Sequence, residues 1–245
     1  MLPQSTSQAT VLAIVAPALY FDNLNTDKLF ADILPMWFVH PIIVFFISLF
    51  LGKFIYKPMR RRGYTMSRAQ NANMHPIYNG LILLMSLYVA FPIGSNNVAN
   101  AAGPIAVMTA NELHISGTAS FNLIVLLSTL IVDPSFGIGS SIFGHKIVQN
   151  TGKEIVLFGK FEAVIIAFVS ASLLLFASLS KGIPSSLVQL NVAAILGIGV
   201  AKLGIKNIFR KTQVRKFFLM WIIAPTIAFC LALILTYLAD KFGYL

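Results

Sequence analysis

Residues 78–104 read YNGLILLMSLYVAFPIGSNNVANAAGP. They lie in a 43-residue window, 69–111, that holds no Lys, Arg, Asp or Glu. A helix needs about 20 apolar residues to cross hydrocarbon, so the window is ample for a membrane span. Yet Ser95, Asn96, Asn97 and Asn100 sit inside it. An unpaired amide or backbone polar group in hydrocarbon costs several kcal/mol, and non-helical backbone survives there only when buried in protein or lining a wet cavity. The polar stretch is therefore a joint between helices or a site.

The same absence of charge recurs along the chain. Residues 33–52, 113–132, 163–180, 182–201 and 217–239 also contain no Lys, Arg, Asp or Glu. Only 11% of the 245 residues are charged and 57% are hydrophobic, whereas soluble domains carry about 25% charged residues. These features predict an all-α, polytopic protein of the cell membrane, with the lipid bilayer as its surroundings. The net charge of +10 does not point to nucleic acid. Lys57, Arg60, Arg61, Arg62 and Arg68 form one cluster, and Lys202, Lys206, Arg210, Lys211, Arg215 and Lys216 another. Basic loops that flank spans are what the positive-inside rule places on the cytoplasmic side. The single Cys230 excludes an internal disulfide and a multi-cysteine metal site. The N-terminus has no basic n-region, so it reads as a short or re-entrant membrane segment and not as a cleaved signal peptide.

The chain divides as one membrane domain, 1–245. Residues 1–34 form a short N-terminal segment with an apolar core at 10–21. Residues 35–68 give a span, with Trp37 and Tyr56 as aromatic belts, and a basic loop. Residues 69–155 hold the opening stretch, a further span at 117–143 and a polar connector, GHKIVQNTGKEIV. Asp133-Pro134 and the glycines at 137, 139 and 144 predict that this span bends or ends irregularly. At about 1.5 Å per residue, the 36 residues 76–111 would reach about 54 Å as one helix. They read as a broken, tilted span or as a hairpin with its tip at GSNN. Residues 156–204 carry two apolar arms around Gly182-Ile183-Pro184-Ser185-Ser186. That pattern suits a re-entrant hairpin, a broken helix or an ordinary turn between spans. A basic loop and the last span complete 205–245.

Pro92 and Gly94 disfavour continuous helix. If helix restarts near Ser95–Asn97, Ser95 or Asn96 can cap it, and Asn96, Asn97 and Asn100 share one face. Small residues, Ala99 to Gly103, would let a neighbouring backbone approach. A free helix N-terminus with amide donors is an anion site, and secondary transporters build such sites from broken helices at the midplane. The other reading is that the asparagines glue helices together. A second helix start is predicted at Ser185 and Ser186, with Gln189 on the same face. Ala193, Gly197 and Ala201 make a small-residue stripe. No catalytic constellation is visible, which argues against an enzyme. His40, His75, His114 and His145 lack metal-ligand spacing and read as interfacial or loop residues. Glu112, Asp133 and Glu154 read as solvated, and Glu162 opens the first hairpin arm.

These motifs together resemble the inorganic phosphate transporter family. GSNNVANAAGP resembles its Gly-Ala-Asn-Asp-Val-Ala-Asn-Ala signature with Gly-Pro after it. GHKIVQNTGKEI resembles its Gly-x-Lys-Val-x-x-Thr-x-Gly-x-x-Ile connector. GIPSSLVQLNVAAILGIGVAK resembles its Gly-Leu-Pro-Val-Ser-Thr-Thr-His segment. Order and spacing match the C-terminal repeat over about 70–241. Full members have two inverted repeats, so the resemblance implies half of an inverted-repeat transporter, completed by a companion N-terminal half or a homodimer unless the gene is truncated. It implies an inorganic oxyanion as substrate, phosphate or sulfate, with no cofactor beyond a coupling ion, Na+ or H+. The implied ligands are Asn96, Asn97, Asn100, Ser95, Ser185, Ser186 and Gln189. Gly94, Gly103, Gly182 and Pro184 would allow the breaks and close packing. The departures are Asn97 at the signature Asp, and Leu187, Val188 and Gln189 at Thr-Thr-His. An amide offers a cation only a neutral carbonyl, which weakens sodium coupling, and fewer buried carboxylates suit a dianion such as sulfate. A subunit that scaffolds a partner without transporting is the alternative.

Overall fold

A computed structural model of the chain describes residues 4–61, 76–115, 117–156 and 158–243. They form helices, with no strand among the described residues. α1 is Thr6–Tyr20, and α2 is Leu34–Arg61, entered through a π-helical turn at Lys28–Ile33. α3 is Pro76–Pro92, followed by a second π-helical turn, Ile93–Val98, and α4, Ala99–Glu112. α5 is Thr118–Ile155, α6 Lys160–Lys181 and α7 Leu187–Leu203. The short α8, Ile205–Phe209, leads into α9, Thr212–Lys241. Among the described residues five helical runs are long and apolar enough to cross a membrane: Lys28–Phe54, Pro76–Glu112, Thr118–Ile142, Lys160–Ser180 and Thr212–Lys241. α1 and α7 are shorter. The chain is an all-α, multi-pass membrane protein.

α7 is the centre of the packing. Nearly every residue from Gln189 to Gly199 is buried, as expected of a helix that is apolar all round. Its small-residue stripe is used as expected. A Cβ at Gly197 would overlap the Phe45 carbonyl and lie 2.9 Å from Leu49 N, and one at Gly52 would lie 2.8 Å from Ala201 Cβ. The backbones of α2 and α7 therefore touch. His40 meets Ser185, Phe45 and Leu49 meet Gly197, and Gly52 meets Ala201, so the two helices run parallel. α6 turns into α7 at Gly182, whose φ of 60° is the left-handed conformation that glycine adopts at helix C-termini. At the other end of this antiparallel pair, Lys202 Nζ lies 3.5 Å from Glu162 Oε1. Glu162 also accepts from Gly159 N at 2.8 Å, capping α6. α1 runs parallel to α9, and Tyr20 donates to Asp240 at 2.8 Å where both end.

Two expectations need correction. GSNN is neither a break nor a hairpin tip: helix continues from Pro76 to Glu112 through the π-turn, with no side-chain cap. The wider turn begins one residue after Pro92 and keeps the helix continuous through Gly94. No free helix N-terminus therefore stands at Ser95–Asn97. Likewise, the polar connector 144–156 is helical as far as Ile155, continuing α5 past Pro134. Ser140 and Ser141 hydroxyls donate back to the Gly137 carbonyl at 3.0 and 2.8 Å in that stretch, which gives each hydroxyl a partner within its own helix. The α5 end is fastened by Lys211 Nζ, which donates to the Ile155 carbonyl. Arg62, Arg68 and His75 lie outside the described residues, as do the side chains of Tyr56, His145 and Glu154.

Candidate functional site

The real helix starts in the interior are those of α1 and α7, and they have the same construction. Ser186 caps α7 in an extended conformation, and its Oγ accepts from Gln189 N at 3.3 Å. Ser5 caps α1 in the same way, its Oγ accepting from Gln8 N at 3.3 Å. Each is a serine N-cap satisfying the third amide of its helix. Both glutamines are buried and their amides pair reciprocally. Gln8 Nε2 donates to Gln189 Oε1 at 3.2 Å, and Gln189 Nε2 donates to Gln8 Oε1 at 2.7 Å. α1 leaves this point toward Asp240 at the end of α9, while α7 leaves it toward the opposite, basic end. The two helices thus stand N-terminus to N-terminus.

Ser7, fully buried, is the hub between them and the signature. Its Oγ lies 3.0 Å from Ser185 O, 3.2 Å from Asn97 Oδ1 and 3.4 Å from Asn96 Oδ1, and accepts from Asn100 Nδ2 at 3.2 Å. Asn96 uses both amide hydrogens elsewhere, donating to Ser178 Oγ and to Ile183 O at 3.1 Å each. The π-turn is thereby tied to the tip of the α6–α7 hairpin. α2 holds the same tip from the other side: Trp37 Nε1 donates to Pro184 O at 2.9 Å, and His40 Nδ1 lies 2.9 Å from Ser185 Oγ. His40 falls 12 residues after Lys28 and 14 before Phe54 in its span, so the cluster sits near mid-depth.

Of the residues the sequence singled out, Asn96, Asn97, Asn100, Ser185, Ser186 and Gln189 come together here. Ser95 is on the exposed side, its hydroxyl donating back to Pro92 O at 3.4 Å. A Cβ at Gly94 or Gly103 would meet nothing within 4 Å, so neither is required by close packing among the described residues. Glu162 belongs to the far end of the hairpin. Sequence reasoning passed over Ser5, Ser7, Gln8 and His40. The spacing Ser5-x-x-Gln8, identical to Ser186-x-x-Gln189, is the signal that would have found the first three. His40 is a correction, buried at the site and not interfacial; His114 is exposed, in the turn after α4.

The chemistry of the cluster is that of dipoles. Its lining consists of amides, hydroxyls and one imidazole. Among the described residues no three His, Cys, Asp or Glu side chains assemble as metal ligands. The first amides of α1 and α7 have no carbonyl within their own helices to bond, and each N-terminus carries roughly half a positive charge. A cavity of about 480 Å³ lies beside the glutamine pair, between α1, α2 and α9. Leu12, Phe218 and Trp221 give it mostly apolar walls, so it does not suit an ion.

A sequence profile described as the phosphate transporter family matches residues 1–232. The chain belongs to the phosphate transporter family. This family member is 28% identical over 243 residues to the sulfate permease CysP of Bacillus subtilis, covering 99% of the chain and 62% of the permease. It is 28% identical over 170 residues to the chloroplastic inorganic phosphate transporter 2-1 of Arabidopsis thaliana, covering 69% of the chain and 28% of that protein. The chain thus spans under two thirds of the length of these relatives. No solved structure matches it.

Proposed function

We propose that this chain is a subunit of a secondary transporter that moves an inorganic tetrahedral oxyanion, phosphate or sulfate, across the membrane. The observation that carries the reading is the meeting of α1 and α7, N-terminus to N-terminus, at the Gln8–Gln189 pair. Two positive dipole ends facing each other at mid-depth repel, and an anion between them turns that repulsion into attraction. Opposed half-helices at the midplane are a recurrent way to bind anionic groups in transporters. The ligands would be Ser185, Ser186, Gln189, Asn97 and Asn100, with Ser7 and Gln8 from the opposing helix. Asn96 would hold the shell in place. A companion half or a second copy would supply the elements that the longer relatives contain.

Uptake of radiolabelled phosphate and sulfate into proteoliposomes, with the chain alone and with any companion half, tests this. Uptake that collapses in Ser186→Ala, with the protein still in the membrane, supports it. Failure to carry either anion under any ion gradient overturns it. One observation favours a scaffold instead: both amide hydrogens of Asn96 serve interhelical bonds. On that reading Ser186→Ala leaves uptake by the assembled complex unchanged.

A further inference from the structure

We propose that His40 is the proton-carrying group of this site, coupling protonation to oxyanion binding through the hydroxyl of Ser185. This rests on the oxyanion reading above and names its coupling ion. His40 is 6% exposed, within the span Lys28–Phe54. Its Nδ1 lies 2.9 Å from Ser185 Oγ. The bond from Trp37 Nε1 to the neighbouring Pro184 carbonyl fixes the loop that carries Ser185. α2 packs against its own π-turn, α6 and α7. The charged residues on those elements are Lys28 and Asp32, then Lys160, Glu162 and Lys181, then Lys202. Lys28 and Asp32 precede His40 by two to three helical turns. Lys160, Glu162 and Lys202 mark the basic end, where the last two pair. Lys181 stands four residues before Ser185. His40 is thus a titratable group in direct contact with a hydroxyl of the cluster.

The coupling follows from one hydrogen. A serine hydroxyl has a single donor and two lone pairs, and a neutral imidazole has one N–H and one bare nitrogen. With Nδ1 bare, the Ser185 hydrogen points at His40, and Oγ turns only lone pairs toward an anion. When a proton from water adds to the ring, both nitrogens carry hydrogen. Nδ1–H then donates to Ser185 Oγ, and the hydroxyl hydrogen is released to the oxyanion. One proton and one positive charge are gained, and no covalent bond to carbon changes. Anion and proton therefore strengthen each other's binding by the same factor.

The test uses the full chain in detergent and sulfate, which remains a dianion over the range where histidine titrates, about pH 5 to 8. Phosphate, corrected for its own titration, replaces it if sulfate does not bind. The wild type is expected to bind about tenfold more tightly at the acidic end, within the usual span of coupling. His40→Asn keeps an amide near the Nδ1 position and cannot titrate; its affinity should be flat and match the alkaline wild-type value. The same pH profile in His40→Asn and wild type overturns the proposal. A second measurement needs no variant: adding anion to weakly buffered wild-type protein should draw protons from solution, read by an indicator dye. Anion binding without proton uptake overturns the coupling alone. Binding of neither anion at any pH overturns the oxyanion reading and this proposal with it.

Discussion

The side chains of Gln8 and Gln189, 181 residues apart, exchange two hydrogen bonds of 3.2 and 2.7 Å and so join two helices at their starts. Removing one partner leaves a buried amide unsatisfied, which costs about 1–3 kcal/mol. Gln8→Ala and Gln189→Ala should each destabilise the protein by about that amount. The double variant should be little worse than either single one. Thermal unfolding in one detergent, arranged as a double-mutant cycle, measures this; additive losses would show that the pair is not coupled.

Charge at the same point separates stability from binding. Gln189→Glu places a carboxylate between two helix N-termini, where negative charge is favourable. The variant should unfold at a temperature no lower than Gln189→Ala, yet lose phosphate and sulfate binding. Retained anion binding would mean that the two dipole ends do not form the site.

Asn96→Ala removes both donors to the hairpin tip and orphans the Ile183 carbonyl. The expected loss is about 1–3 kcal/mol, with faster hydrogen exchange confined to residues near Ile183 and the π-turn. Unchanged exchange there would refute the role of Asn96 as the fastening between them.

Gly197→Leu forces a side chain into the Phe45 carbonyl, where even a Cβ does not fit. Overpacking costs about 1–3 kcal/mol or more, so folded yield and melting temperature should both fall. By contrast, Lys202→Met breaks a pair whose side chains are 32% and 12% exposed. Discounted for solvent screening, that loss should stay within about 1 kcal/mol and leave uptake near wild type.

The spans were legible because hydrocarbon imposes a length and forbids charge. The start of α7 was legible because Ser186 and Gln189 follow a local capping rule. The GSNN stretch misled because Pro92 and Gly94 disfavour helix locally, while the bonds from Asn96 to Ser178 and Ile183 act across more than 80 residues. α1 was read only as a short apolar segment: the spacing Ser5-x-x-Gln8 marks a helix start, but the pairing of Gln8 with Gln189 acts across 181 residues. The contact of His40 with Ser185 spans 145 residues and leaves no local pattern at all.

The π-turn at Ile93–Val98 carries a consequence for how this protein can diverge. A π-turn is equivalent to one residue inserted into an α-helix, often near a functional site. Deleting one residue of 93–98 would let the α ladder close while leaving the helix beyond it facing nearly as before, because the wider winding already absorbs that extra residue. The same deletion in the regular helix on either side would turn everything beyond it by about 100° about the axis. The π-turn is thus a joint where the length of this helix can change while Asn100 still reaches Ser7.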